Sequence, residues 1–198
     1  MSKGKATRDN ILNRAFMLAS ENGLQSLTIG ELAKQCNMSK SGLFAHFNSK
    51  DNLQVAVLEY ANDTFINKVI EPVRRQHLGD CESRLKALLE NWLSWNHAFQ
   101  GSCMFLDAWK DNCSEQSDTQ DTLKRIVNTW LEYLQIQIGK GVSDGEFNQS
   151  LDSKLAVFEL YGLYLSAHLY DSIHGPHISY SMFWQGVDRL ITSWKKIR

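Results

Sequence analysis

Two helix-start signals eleven residues apart, at Thr28 and Ser39, constrain this chain more than any other feature. They leave room for two short helices and one tight turn. Thr28 is an N-cap residue with Glu31 three positions on. At that spacing the hydroxyl accepts from the backbone N–H near Glu31 and the carboxylate reaches back to the Thr28 N–H. Leu27 and Leu32 flank this capping box as a hydrophobic staple. Ser39 caps the next helix, with Met38 and Leu43 as its staple pair. Asn37 lies between them and tolerates the left-handed conformation a turn requires. The pattern predicts helices over 29–36 and 40–47. Leu32, Ala33 and Cys36 form one apolar face, and Leu43, Phe44 and Phe47 form the face that closes on it.

The second helix begins with Lys40, Ser41 and Gly42. A recognition helix meets the DNA major groove through its N-terminal residues. Gly42 lets backbone approach closely, while Lys40 and Ser41 supply donors. Charge distribution agrees. The first 50 residues hold seven cationic side chains (Lys3, Lys5, Arg8, Arg14, Lys34, Lys40 and Lys50) against Asp9, Glu21 and Glu31, a net +4 in a chain whose total is −1. The remainder therefore carries −5, a basic head on an acidic body, which fits contact with nucleic acid at one end only.

Residues Thr7 to about Phe65 resemble the TetR family of transcriptional regulators. The stretches that carry the resemblance are Arg8-Asp9-Asn10-Ile11-Leu12 with Ala15-Phe16, Glu21-Asn22-Gly23-Leu24, Thr28-Ile29-Gly30-Glu31-Leu32-Ala33, Ser39-Lys40-Ser41-Gly42-Leu43-Phe44, and His46-Phe47-Asn48-Ser49-Lys50-Asp51-Asn52-Leu53. The resemblance implies that Thr28, Ser39, Lys40, Ser41, Gly42, Phe44, His46 and Lys50 sit at the DNA. Two positions depart from the family pattern. Phe44 stands where a tyrosine is usual, so a hydroxyl contact to phosphate is replaced by apolar packing on a sugar or a thymine methyl. Asn48 replaces the usual proline and still suits a turn.

Elsewhere the chain shows no strand-like alternation and no repeat. Helix one is predicted over 8–22, stopped by Gly23. Ser49 caps a longer helix whose apolar stripe runs from Leu53 to Val69, with Pro72 marking its end. Further helices are predicted over 81–99 and 103–110. A long one through Leu123 and Ile138 is ended by Gly139, Gly141 and Gly145. In the helix predicted over 152–173, residues Leu155 to Leu165 are nearly all apolar, interrupted by Glu159 and Gly162. Such a helix must be covered on all sides, and a second subunit supplies the cover. The last helix, predicted over 179–194, has Gly186 within its apolar stripe, which suggests close helix approach. A homodimer through these last two helices and their two-fold mates follows, and the resemblance implies the same.

The expected fold is all-α: a three-helix helix-turn-helix head over 1–50, then a larger effector-binding and dimerisation body over 51–198. The body is rich in large aromatics, and most such residues at helical spacing are core. Because the resembled family encloses an effector cavity there, Trp92, Trp95, Phe99, Phe105, Trp109, Trp130, Tyr133, Tyr161, Tyr164 and His168 are the candidates to line it. Aromatic walls with few polar tips suit an apolar or flat ligand.

The expected partners are a double-stranded, near-palindromic operator, a small-molecule effector and a second copy of the chain. No membrane is expected, because no apolar run approaches about 18 residues. Met-Ser-Lys-Gly-Lys lacks a signal-peptide core, which points to the cytoplasm. The four cysteines have no CxxC spacing, His174-Gly175-Pro176-His177 is a turn rather than a metal motif, and nothing around Cys103 or Cys113 activates a thiol. No metal and no cofactor is called for. Phosphate loops, carboxylate–histidine sets and nucleophile motifs are absent from the sequence, which argues against an enzyme. A DNA-binding adaptor whose body contacts another protein fits the same pattern without an effector.

Overall fold

The computed structural model describes residues 3–97, 104–111 and 117–195. Its elements are α1 (Lys3–Asn22), a 3-10 turn (Leu24–Ser26), α2 (Ile29–Gln35), α3 (Lys40–Phe47), α4 (Lys50–Phe65), a π segment (Ile66–Ile70) and α5 (Glu71–Arg75). They continue with α6 (Cys81–His97), α7 (Met104–Asp111), α8 (Asp118–Ser143), α9 (Ser153–His174) and α10 (Pro176–Trp194). The described residues contain no strand, as the all-α reading requires. They contain no helix long and apolar enough to cross a membrane. The chain divides into two compact units, Met1–Lys68 with Ser102–Val127, and Val69–Gly101 with Asn128–Arg198.

In the first unit, Ile11, Ala15, Phe16 and Ala19 of α1 are buried with Leu53, Val57 and Ala61 of α4. The Phe16 and Tyr60 rings meet at 5.8 Å, and the Tyr60 hydroxyl donates to Asn13 Oδ1 at 3.3 Å. Glu59 on α4 pairs with Arg125 on α8. Gly23 adopts φ 82, the left-handed region, and ends α1 as expected.

In the second unit, α9 and α10 form a close antiparallel pair. A Cβ at Gly186 would come within 2.8 Å of Leu163 Cδ2, so this glycine serves approach within the subunit. The start of α6 is held from α8's far end, where the Glu146 carboxylate accepts from the Cys81 N–H at 2.6 and 2.9 Å through its two oxygens. Burial and the Glu146 charge push the Cys81 thiol up to about 11, which leaves it protonated and inert. Lys86 joins Glu82 at 2.9 Å and Asp188 at 2.8 Å, tying α6 to α10. Lys195 and Lys86 hold the Glu82 carboxyl below the usual carboxylate range. That stabilisation is present above the ordinary carboxylate pKa and fades as pH falls through the lowered value.

Several boundaries differ from the sequence expectation. Pro72 does not mark the end of the fourth helix; it sits in the first turn of α5, and its influence is felt upstream. Lacking an N–H and crowding the carbonyl four residues earlier, at Lys68, it is accommodated by widening to π geometry over Ile66–Ile70. Helix one starts at Lys3, not Arg8, and α10 starts at Pro176, where proline suits a first turn. The glycines at 139 and 141 do not end α8, which runs through both to Ser143 before Gly145 turns at φ 78.

Gly141 is required by packing. A Cβ there would sit 2.5 Å from the Phe147 ring and 2.9 Å from Cys81 Sγ. Gly141→Ala is expected to destabilise by about 2–3 kcal/mol through overpacking. Gly139→Ala, with nothing within 4 Å of its Cβ, is expected to be neutral or to stabilise by up to about 1 kcal/mol. Urea unfolding of the two variants checks the pair.

Candidate nucleic-acid interface

The reader is built from the caps predicted for it. Thr28 Oγ1 accepts from the Glu31 N–H at 3.1 Å, and Ser39 Oγ accepts from the Gly42 N–H at 3.1 Å. The reciprocal half of the capping box is replaced, because Glu31 turns instead to Lys34 at 3.7 Å. The turn between α2 and α3 closes with the Cys36 N–H on Leu32 O at 2.9 Å and the Met38 N–H on Ala33 O at 2.9 Å. Asn37 takes φ 53, and Asn48, standing where proline is usual, takes φ 64 as the C-cap of α3. Leu32, Ala33, Leu43 and Phe47 are buried and lock the two helices together.

These bonds leave the start of α3 outward. Ser39, Lys40 and Ser41 are exposed, Ser39 and Ser41 share a hydroxyl contact at 3.2 Å, and Phe44 is 51% exposed. The Lys40 side chain lies across α2, with its Cε 3.1 Å from where a Gly30 Cβ would be. The starts of α2 and α3, and hence Thr28 and Lys40, therefore share one surface. Spacing alone did not single out Gly30, the second residue of α2, whose missing side chain leaves room for the lysine.

His46 is half-buried against the Phe47 ring at 6.2 Å, and Arg8 lies over that same ring at 5.3 Å. Lys50 Nζ donates to the Gln25 carbonyl at 2.9 Å, so without DNA it braces the 3-10 turn before α2. Gln54 was also missed. It is buried, and its amide donates to Leu24 O at 3.1 Å and to Gln25 Oε1 at 3.4 Å. A buried amide of this kind fixes α4 against the turn that carries Thr28.

The aromatic candidates divide between the units. Trp92 stacks on Tyr164 at 3.7 Å between centroids and 14° between planes. Trp92 also meets Trp130 edge-on at 5.3 Å and Tyr161 at 5.6 Å. Tyr133 stacks on Trp130 at 6.0 Å, and the Tyr164 hydroxyl lies 3.2 Å from His168 Nε2. Six candidates therefore form one cluster in the second unit, and Trp95 is buried in the same unit. Phe105 and Trp109 belong to α7 in the first unit, where Phe105 packs edge-on against Phe65 at 6.2 Å. Phe99, Cys103 and Cys113 lie outside the described residues.

On the outward side of α9, Leu155, Phe158, Leu165, Leu169 and Ile173 form an exposed stripe, with Phe158 75% exposed. Ile178 and Met182 of α10 are exposed as well. The other side of α9, with Ala156, Leu160 and Tyr164, is buried.

Comparison with known proteins agrees with this geometry. The sequence model described as "Bacterial regulatory proteins, tetR family" matches residues 11–57, and "Tetracyclin repressor-like, C-terminal domain" matches residues 81–187. The HTH-type transcriptional regulator UidR of Escherichia coli K12 is 32% identical over 79 residues, which is 40% of this chain and 40% of UidR. The HTH-type transcriptional repressor KstR2 of Mycolicibacterium smegmatis is 24% identical over 160 residues, covering 78% of this chain and 74% of that protein. Among solved structures, a TetR-family regulator from Cytophaga hutchinsonii superimposes with a TM-score of 0.83 at 18% identity, covering 100% of this chain and 99% of that one.

Proposed function

Since the chain belongs to the TetR family and is a DNA-binding transcriptional regulator rather than an enzyme, we propose that it is a ligand-responsive repressor acting as a homodimer. The observation that carries the DNA half is the outward start of α3, with two capped helix starts and Lys40 on one surface. Helix N-termini attract phosphate. In this reading residues 1–50 are the reading head. Lys40, His46 and Lys50 hold phosphates, with Lys50 exchanging its bond to Gln25 for one to the duplex. Ser41, Gly42 and Phe44 meet base edges, and Thr28 and Ser39 contact the backbone beside their caps. Phosphate contacts position the head, and base contacts specify the sequence.

The dimer reading rests on the apolar stripe of α9. A contiguous exposed apolar face of this kind marks an interaction site, and a two-fold pairing of α9 and α10 makes a four-helix bundle. Two heads then meet half-sites about 34–36 Å or a multiple apart, which makes the operator near-palindromic. The effector reading rests on the Trp92–Trp130–Tyr164 cluster, whose rings admit a flat apolar ligand by repacking. A coupling of about 1–3 kcal/mol between ligand and DNA changes affinity roughly 5–150-fold. Likeness to KstR2, a repressor by name, supports repression. A cytoplasmic location accompanies a regulator of this kind.

Fluorescence anisotropy on duplexes tiling the DNA beside the chain's own gene, over a salt series, tests the reading. The expected result is dimer-stoichiometric binding to one near-palindrome that weakens steeply with salt. Equal weak binding to every tile would refute operator recognition.

A further inference from the structure

We propose that the second unit carries a binding site for a small organic anion, adjoining the aromatic cluster at Tyr133. The site is a cavity of about 440 Å3 formed by α5, the turn over 76–80, the start of α6 and the C-terminal part of α8. That volume lies within the range of small-molecule sites. The proposal stands independently of the regulatory reading.

The polarity of the cavity defines its occupant. Four cationic or protonatable side chains line it: Arg74, His77, Arg84 and Lys140. No carboxylate does. Arg74 is partly neutralised by Glu71 at 2.8 Å and lies over the Tyr133 ring at 5.3 Å. Arg84 donates to Leu78 O at 3.1 Å, and the Asp80 carboxyl, lowered chiefly by hydrogen bonds from Ser83 and least by Arg84, does not line the cavity. Lys140 is exposed and has no ion pair among the described residues. The balance at the cavity is therefore positive.

A second, independent observation lies deeper. Gln137 lines the same cavity and is only 7% exposed, and its side-chain amide makes no hydrogen bond among the described residues. Its backbone carbonyl is engaged by Cys81 Sγ at 3.0 Å, which fixes that stretch of α8. The amide is not among the fully buried, unpartnered polar groups, so it reaches the solvent of the cavity and is open to a ligand. His77 adds to this picture. It holds φ 47, an uncommon conformation for a non-glycine residue that puts its imidazole at the cavity.

Leu88 and Val73 provide buried apolar walls, and the Tyr133 ring provides a flat one. The matching ligand is a carboxylic or phosphoric acid with a compact apolar or aromatic part. The acid oxygens would take the Gln137 N–H and the cationic rim, and the apolar part would lie on Leu88 and Tyr133. Charge-assisted bonds of this kind are the stronger ones, and Arg favours planar oxyanions.

The test is a 1H–15N titration of the full chain with benzoate, phenyl phosphate and neutral benzamide. The expected result is a saturable shift of the Gln137 side-chain amide with at least one of the two anions and none with benzamide. The stronger anion identifies the acid group. Lys140→Gln, on an exposed position, is expected to weaken anion binding about fivefold or more. Gln137→Leu is expected to weaken it about tenfold, through loss of one hydrogen bond to the ligand, while the ligand-free chain keeps its melting midpoint. Equal shifts with benzamide, no saturable shift with either anion, or unchanged affinity in Lys140→Gln or Gln137→Leu would each overturn the proposal. These readouts are taken on DNA-free protein, so failure of operator binding leaves them unaffected.

Discussion

Ser41→Asp is expected to weaken operator binding at least about 100-fold at 0.1 M salt while leaving the fold as stable as before or slightly more so. Ser41 is exposed in the first turn of α3, two residues past the Ser39 cap. A carboxylate there faces the partial positive charge of a helix N-terminus and stabilises the helix by roughly 0.3–1 kcal/mol. Toward DNA the sign reverses. One added negative charge about 6 Å from a phosphate costs roughly 2 kcal/mol at an effective dielectric constant near 25, and a dimer carries two such charges. Anisotropy with the operator duplex, beside a thermal melt, measures both effects. Affinity unchanged by the aspartate would remove the start of α3 from the interface. Affinity lost together with thermal stability would show that the residue acts through the fold.

Phe158→Glu is expected to convert the dimer to a monomer at micromolar concentration, a shift of about a thousandfold or more in dimer dissociation. Within one subunit Phe158 is 75% exposed, so the substitution removes little subunit packing. Across a two-fold interface it removes two buried aromatic side chains, worth about 2 kcal/mol each, and inserts two carboxylates into an apolar seam. Sedimentation velocity reads the change directly. The operator signal should fall with it, because one head alone keeps half the contacts. A dimer that survives at 1 µM would place the interface elsewhere. Leu169→Glu, about three turns further along the same stripe and 61% exposed, is expected to act in the same direction.

The helix-turn-helix could be read in detail because its determinants are local. A cap and its N–H acceptor lie three residues apart, so Thr28, Asn37, Ser39 and Ser49 state their structure within one turn of chain. Lys40 was placed outward by the same logic, but helical spacing also put Phe44 on the inward face with Leu43 and Phe47, whereas it is 51% exposed and only the other two are buried. What failed locally had a distant cause. Gly141 reads as a helix stop, yet the Phe147 ring and Cys81 Sγ leave room only for glycine, and the helix continues. Pro72 reads as an end, yet the strain of its ring is absorbed upstream in a π turn.

Function divides along the same line. The amino-acid order alone determined the capped two-helix reader, its basic charge, the all-helical body and the excess of apolar residues on α9, because each depends on periodicity or on contacts within a turn. Only the tertiary structure decided where the aromatics gather, with Trp92, Trp130 and Tyr164 stacked together and Phe105 on another unit. It alone placed Lys40 across Gly30, fastened Lys50 to the Gln25 carbonyl, and brought Gln137 and Arg84 to one cavity. Lys40 and Gly30, Lys50 and Gln25, Gln137 and Arg84, and Trp92 and Tyr164 lie 10, 25, 53 and 72 positions apart. No helical period encodes separations of that kind; they follow from how the helices pack.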